Sequence, residues 1–148
     1  PLEILARYEA PFRLAGFHVG WVTTSTLAAL ELVPAAGLNV LAKLTGRVLS
    51  LAVVHHGVLK LVRSIELSGF TGEEVVGHLF PTLAYAEDQL SASPGSLLVC
   101  GLASATHESG VWLESQLGVR TAALSSRFGQ PGPMNAGLMG YLEKLKEI

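Results

Sequence analysis

Between residues 38 and 67 the chain carries three apolar runs, broken only at two short turns: "LNVLAKLT", "RVLSLAVVHH" and "VLKLVRSIEL". Leu, Val and Ile dominate each run, and Gly46 and Gly57 mark the breaks, so the pattern predicts strands over roughly 38–45, 47–56 and 58–67. The connections are too short for any crossover, and adjacent strands must therefore be antiparallel. On the N-terminal side, Leu2, Leu5, Tyr8, Phe12 and Ala15 recur at helical spacing, with Pro11 inside the pattern as a kink or break and Gly16 as a stop. "FHVGWVTTS" then reads as a strand. Ser25 or Thr26 is the expected cap of a helix "TLAALELV" that Pro34 and Gly37 end.

After the meander, Thr71 caps a helix whose first turn holds Glu73 and Glu74, where the helix dipole favours acids. Val75, Val76, Leu79, Phe80, Leu83, Glu87 and Leu90 are predicted to share one face, with a kink at Pro81. "SASPG" is a turn, "SLLVCGL" a short buried strand, "HESGVWLESQLG" a helix ending at Gly118, and "VRTAALSS" another strand. "FGQPGP" is a loop before a closing helix, "MNAGLMGYLEKLKEI". The predicted order is α-β-α-β-β-β-α-β-α-β-α. It describes a mixed α/β sheet, an antiparallel meander at one side and parallel crossovers at the other, with helices on both faces. No internal repeat or low-complexity tail is present.

Composition narrows the partners. The 148 residues suit one domain, and a net charge of -2 supplies no basic field for nucleic acid. Charged residues make up 15% of the chain, against roughly 25% in an average soluble domain. Mean hydropathy is +0.44. Such a chain either has an unusually apolar core or leaves apolar surface for a partner or for missing chain to cover, and the second explanation is favoured. The longest stretches without Asp, Glu, Lys or Arg, 14–30 and 89–107, are interrupted by "TTST" and "SASPGS", so neither is a uniform membrane-spanning run and no direct membrane insertion is expected. No signal-peptide pattern opens the chain. A single Cys100 excludes an internal disulfide and fits a reducing compartment. The start at Pro1, already inside a helical pattern, is what a segment of a longer protein would show.

The β-β-β-α-β-α-β-α order from the meander onwards resembles the RNase H-like subdomain of the actin/Hsp70/sugar-kinase superfamily. Within it, the chain is most similar to the actin-like PilM family of type IV pilus assembly proteins and its secretion-system relatives. Five stretches carry the resemblance: "AGFHVGWVTTSTLAAL" (15–30), "GRVLSLAVVHHGVLKLVRSIELSG" (46–69), "PTLAYAEDQL" (81–90), "LLVCGLASATHESGVWLESQLGVRT" (97–121) and "NAGLMGYLE" (135–143). The resemblance implies that residues 1–33 form a hinge strand and connecting helix and that 34–148 form the second RNase H-like subdomain. It also implies that the missing first half would face a nucleotide across a cleft.

The departures bear on chemistry. In the family, the first meander strand ends in an Asp-Ile-Gly type turn, whose acid helps hold a metal–phosphate group and whose glycine lets backbone N–H groups approach the phosphates. The corresponding positions here are Lys43, Leu44 and Thr45, with Gly46 one place later. A lysine pairs with phosphate but cannot bind Mg²⁺. The family's adenosine-side Gly-Gly turn reads Cys100-Gly101, putting a side chain where a nucleotide needs close backbone approach. These six residues therefore look like a degenerate nucleotide cleft.

Other features have plainer readings. His55 and His56 are neighbours on a strand end, pointing to opposite faces, and are poor co-ligands for one metal. His18, His78 and His107 lack partners at ligand spacing. Cys100 sits in an apolar strand as a small hydrophobe, and "GQPGPMNAG" lacks a phosphate-loop ending and holds two prolines without N–H groups. Trp21 and Trp112 are expected to anchor the core or an interface. Two functions follow from the resemblance. The first is a non-catalytic scaffold without a cofactor or metal, cytoplasmic at the inner membrane, whose partner is the cytoplasmic peptide of an integral pilus or secretion protein; a homodimer is also compatible. The second is half of an active actin-like ATPase or sugar-kinase-type phosphotransferase using ATP and Mg²⁺. A third possibility is a stand-alone α/β domain that shares only the fold. The apolar excess, much of it in 2–33, should be buried against a second copy of the chain or a missing partner half.

Overall fold

The computed structural model describes residues 1–102 and 110–145. The meander forms where the apolar runs place it: β1 Leu38–Thr45, β2 Val48–His55 and β3 Val58–Glu66. β1 pairs antiparallel with β2, and β2 with β3. Gly46 and Gly57 take φ of +57° and +74°, backbone conformations that a side chain disfavours and that tight hairpin turns require. Two further strands, β4 (Ser96–Cys100) and β5 (Thr121–Ala123), add in parallel to the other edge of β1, giving the order β3-β2-β1-β4-β5.

Helices cover both faces, which is why β1 and β2 read as almost continuous apolar runs rather than alternating ones. On one face, α3 (Gly72–Leu90) and α4 (Gly110–Leu117) pack over Val40, Ala42, Leu44, Leu51 and Leu97 through Val75, Leu79, Leu83 and Leu113. On the other, α2 (Ser25–Ala29), the 3-10 turn Leu30–Leu32 and α5 (Ala136–Lys144) help cover Leu41, Ala52, Leu98 and Cys100. The α2–α5 contact is close because α5 presents glycines: a Cβ on Gly137 would fall 2.7 Å from the Ser25 Cα, and one on Gly140 would overlap the Ala28 carbonyl oxygen. An ion pair between Lys144 and Glu31, 3.0 Å, ties the end of α5 to the 3-10 turn.

The start of α3 shows how local sequence sets an element. Thr71 accepts a hydrogen bond from the Glu74 N–H at 3.1 Å, the N-cap expected from sequence. Glu74 does more than complement the dipole. Its carboxylate accepts from the backbone N–H groups of Ser68, Gly69 and Phe70 at 2.6, 2.8 and 3.1 Å, which locks the β3–α3 connection. Those N–H groups hold its carboxyl below the usual carboxylate range.

Several expectations are corrected. Residues 17–24 form no strand: they run without turn or bend, and among the described residues no ladder pairs with them. The cap of α2 is Thr24, not Ser25 or Thr26, and it accepts from the Leu27 N–H at 3.2 Å. The α1 helix (Leu2–Leu14) is not split at Pro11, and α3 likewise runs unbroken through Pro81. The buried stripe of α3 is Gly72, Val75, Leu79, Thr82, Leu83 and Ala86, while Phe80 and Glu87 face out. β5 is much shorter than the predicted 119–126. The observed order among the described residues is accordingly α-α-β-β-β-α-β-α-β-α, and the start of the predicted "HESGVWLESQLG" helix, residues 107–109 with His107, lies outside the described residues.

Candidate functional site

The six positions singled out by sequence converge at the C-terminal ends of β1 and β4, the end of a parallel pair where ligands of α/β sheets ordinarily bind. Lys43 and Cys100 are register partners across the β1–β4 ladder, and both side chains are buried on the α2–α5 face. Leu44 points the other way, into the core beneath α3. Thr45 closes β1, and Gly46 forms the turn with open space around its Cα.

Lys43 is the unusual group. A lysine at 3% exposure is rare unless paired. Its ammonium donates to the Thr45 hydroxyl at 2.6 Å, and that hydroxyl donates onward to the Pro133 carbonyl at 3.3 Å. Burial lowers the lysine's pKa, and the neighbouring Cys100 opposes that shift. Burial pushes the Cys100 thiol up, with Lys43 pulling the other way. Its S–H points to the Pro131 carbonyl, 3.6 Å away.

Both contacts lead to the loop before α5. Residues 131–133, which sequence marks only as a loop, lie against the ends of β1 and β4. Gly101, at φ +78°, fits where a Cβ would overlap the Leu44 carbonyl oxygen and stand 2.9 Å from the Pro133 Cβ. The close backbone approach at this glycine is therefore made to the chain's own β1 and loop. No sequence signal foretold the Thr45–Pro133 contact, which joins residues 88 positions apart.

The histidine pair at the hairpin tip behaves differently from strand alternation. His56 leaves the strand with φ +50°, and its ring stands 4.3 Å from that of His55 rather than on the opposite face. His18 is exposed and His78 half-buried, and among the described residues no group of three His, Cys, Asp or Glu side chains is placed to hold a metal ion.

A second feature lies on the N-terminal side. The α1 helix buries none of its residues. Between it, residues 17–22 and α5 runs an apolar groove of about 720 Å³, lined by Tyr8, Phe12, Phe17, Val19, Trp21 and Tyr141 among others. Trp21 stacks on Tyr141 at 5.9 Å between centroids, with the Lys144 ammonium 5.8 Å from its ring. Trp112, the other tryptophan, packs half-buried against the α3-side core. Among the described residues no helix is long and apolar enough to cross a membrane.

No family model matches this chain, and no curated protein matches its sequence. Its fold is similar to that found in the solved PilM–PilN type IV pilus biogenesis complex, with a TM-score of 0.72 at 18% identity over 95% of this chain and 57% of that one. It is also similar to a Bacteroides thetaiotaomicron protein of actin-like ATPase fold and unknown function, with a TM-score of 0.50 at 15% identity over 76% of this chain and 41% of that one. The chain thus spans about half the length of the structures it matches. The mixed five-stranded sheet with its antiparallel meander is that of an actin-like ATPase subdomain.

Proposed function

We propose that this chain is part of a non-catalytic, PilM-like scaffold or adaptor in the assembly of a type IV pilus or secretion platform. In this reading it works on the cytoplasmic side of the inner membrane and holds the cytoplasmic peptide of an integral membrane partner. The fold likeness to the protein solved with PilN supports the pilus setting. The observation that carries the non-catalytic part is Lys43. Where the superfamily's phosphate turn needs a carboxylate, this chain buries an ammonium already bonded to Thr45, with the 131–133 loop behind it. A protonated lysine has no lone pair for a metal and repels Mg²⁺, so these residues do not fit a metal–phosphate group.

A second reading, half of a working ATPase or phosphotransferase, keeps support from the intact hairpin and its positive-φ Gly46, which leaves backbone accessible. Nucleotide-dependent melting separates the two. A ligand at a hundredfold excess over its Kd stabilises by about 2.7 kcal/mol. The scaffold reading expects no shift in melting temperature with ATP and Mg²⁺. A clear Mg²⁺-dependent rise favours the enzyme instead.

A further inference from the structure

Between two fixed ends, the loop joining β3 to α3 is held by charge rather than by burial. Leu67 is fully buried and Thr71 is fixed as the cap of α3, but Ser68 and Gly69 are exposed and Phe70 is half-buried. Arg47, in the β1–β2 turn, donates to the carbonyls of Leu67 and Ser68 at 3.1 and 3.4 Å. Glu74, in the first turn of α3, accepts from the N–H groups of Ser68 and Gly69 at 2.6 and 2.8 Å. These four backbone groups belong to the same two peptide units, 67–68 and 68–69. In a trans peptide the C=O and N–H point in opposite directions, so guanidinium and carboxylate stand on opposite sides of the loop. Each peptide dipole is bracketed by a cation at its oxygen and an anion at its hydrogen, and polarisation through the amide makes either bond strengthen the other.

Phe70 works against this grip. Its φ of +54° is left-handed backbone, an outlier for a bulky side chain, and persists only where surrounding contacts offset its cost. Its N–H is the third donor to Glu74, at 3.1 Å, and its ring lies 5.2 Å from the Arg47 guanidinium. We infer that residues 67–70 are a two-position latch between the β1–β2 turn and α3, closed while Arg47 and Glu74 grip its opposite sides and sprung open at Phe70 when either lets go. The turn that supplies Arg47 also carries Thr45 and Gly46, and the Arg47 carbonyl accepts from the Leu67 N–H at 2.8 Å. A displacement of the candidate site is thereby passed to the first turn of α3, on the other face of the sheet. The inference goes beyond the scaffold reading and does not depend on it.

Protonation is one way to let go. The three N–H groups hold the Glu74 carboxyl below its ordinary range, and His78, one turn along α3, acts in the same sense. Arg47 and its exposed partner Glu66, 3.5 Å apart, stand across the loop, and Glu73 is the adjacent acid on α3. A depressed carboxyl keeps its contribution at neutral pH and loses it as pH falls through the folded pKa, so the latch is closed at pH 7 and opens in acid.

Amide hydrogen exchange and proton resonances of the intact chain test the inference. Arg47→Ala touches none of the three N–H groups, yet it should speed exchange at Ser68, Gly69 and Phe70 by about tenfold or more, as should Glu74→Gln. Phe70→Asn, which takes positive φ more readily, should slow exchange at Ser68 and Gly69 by about threefold. In the wild type, the three amide resonances should shift together below the ordinary carboxylate range while those of β1 and β2 stay in place. Unchanged exchange at 68–70 in Arg47→Ala overturns the latch, because the two sides are then independent. So does a rise that extends equally to the β1 and β2 amides, a faster-exchanging Phe70→Asn chain, or wild-type resonances that do not titrate together.

Discussion

At the residue scale, Lys43 is a charge held against a burial cost, and its titration reports that cost. Lysine's ordinary pKa of 10.5 is lowered in the folded chain by burial. Below the folded pKa the group is charged in both states, and only the folded state bears the desolvation. Between the folded pKa and 10.5 the unfolded state binds more protons, so stability rises with pH, and above 10.5 the penalty is gone. Replacing a buried charge by an apolar side chain of similar length is commonly neutral or stabilising. Lys43→Met is therefore expected to raise stability at pH 7 by about 1 kcal/mol. The gain should shrink as pH climbs towards 10.5, and loss of the lysine's pull on Cys100, whose thiol burial already pushes up, works in the same direction. Urea melts of the two proteins at pH 7, 9 and 10.5 measure the difference directly; a gain that grew with pH would mean the lysine is stabilised, not penalised, in its site.

At the element scale, the sequence made the meander legible because turn glycines with forced positive φ bracket three apolar runs, leaving one pairing geometry open. The same logic misread residues 17–24. Their Phe17-Val19-Trp21 alternation is strand-like, but a strand exists only when another edge pairs with it, and pairing is not written in one segment. Helical spacing found α3 yet put Phe80 and Glu87 on its inner face, since apolar character alone does not distinguish a buried stripe from an exposed patch beside it. At the ends of β1 and β4, Lys43, Thr45, Cys100 and Gly101 could be singled out position by position. The loop 131–133 closing on Lys43, Thr45 and Gly101 was not, because such long-range contacts follow from how α5 packs. That packing gives a paired prediction. Gly140 in α5 meets the Ala28 carbonyl, whereas Gly77 in α3 has open space around it. Gly140→Ala should cost about 2–4 kcal/mol by forcing α5 off α2. Gly77→Ala, at a helical site without a clash, should gain roughly 0.5–1 kcal/mol in helix propensity. Thermal melts of both variants against the wild type check the contrast, and similar losses in the two would show that the α2–α5 contact is looser than the geometry implies.

At the scale of the whole molecule, stability and stickiness reside in different parts. The sheet and its two helical layers hold the buried side chains, and α1 contributes none of them. The α1 helix instead carries Leu2, Leu14 and Tyr8 at 84%, 88% and 74% exposure. An element that buries nothing supplies little hydrophobic stabilisation, while apolar surface of this kind promotes association. Removing residues 1–16 keeps Trp21 on Tyr141, Thr24 on the α2 N-terminus and both core layers intact. The truncated chain should therefore melt within about 4 °C of the full chain, the shift expected for less than 1 kcal/mol in a domain of this size. It should also remain soluble to higher concentration, with a smaller tendency to bind an apolar dye. Differential scanning fluorimetry and dynamic light scattering on the two proteins read both quantities. A drop in melting temperature well beyond that range would mean that α1 is an integral part of the core layers, and would return the chain's apolar excess to folding rather than to contact with another polypeptide.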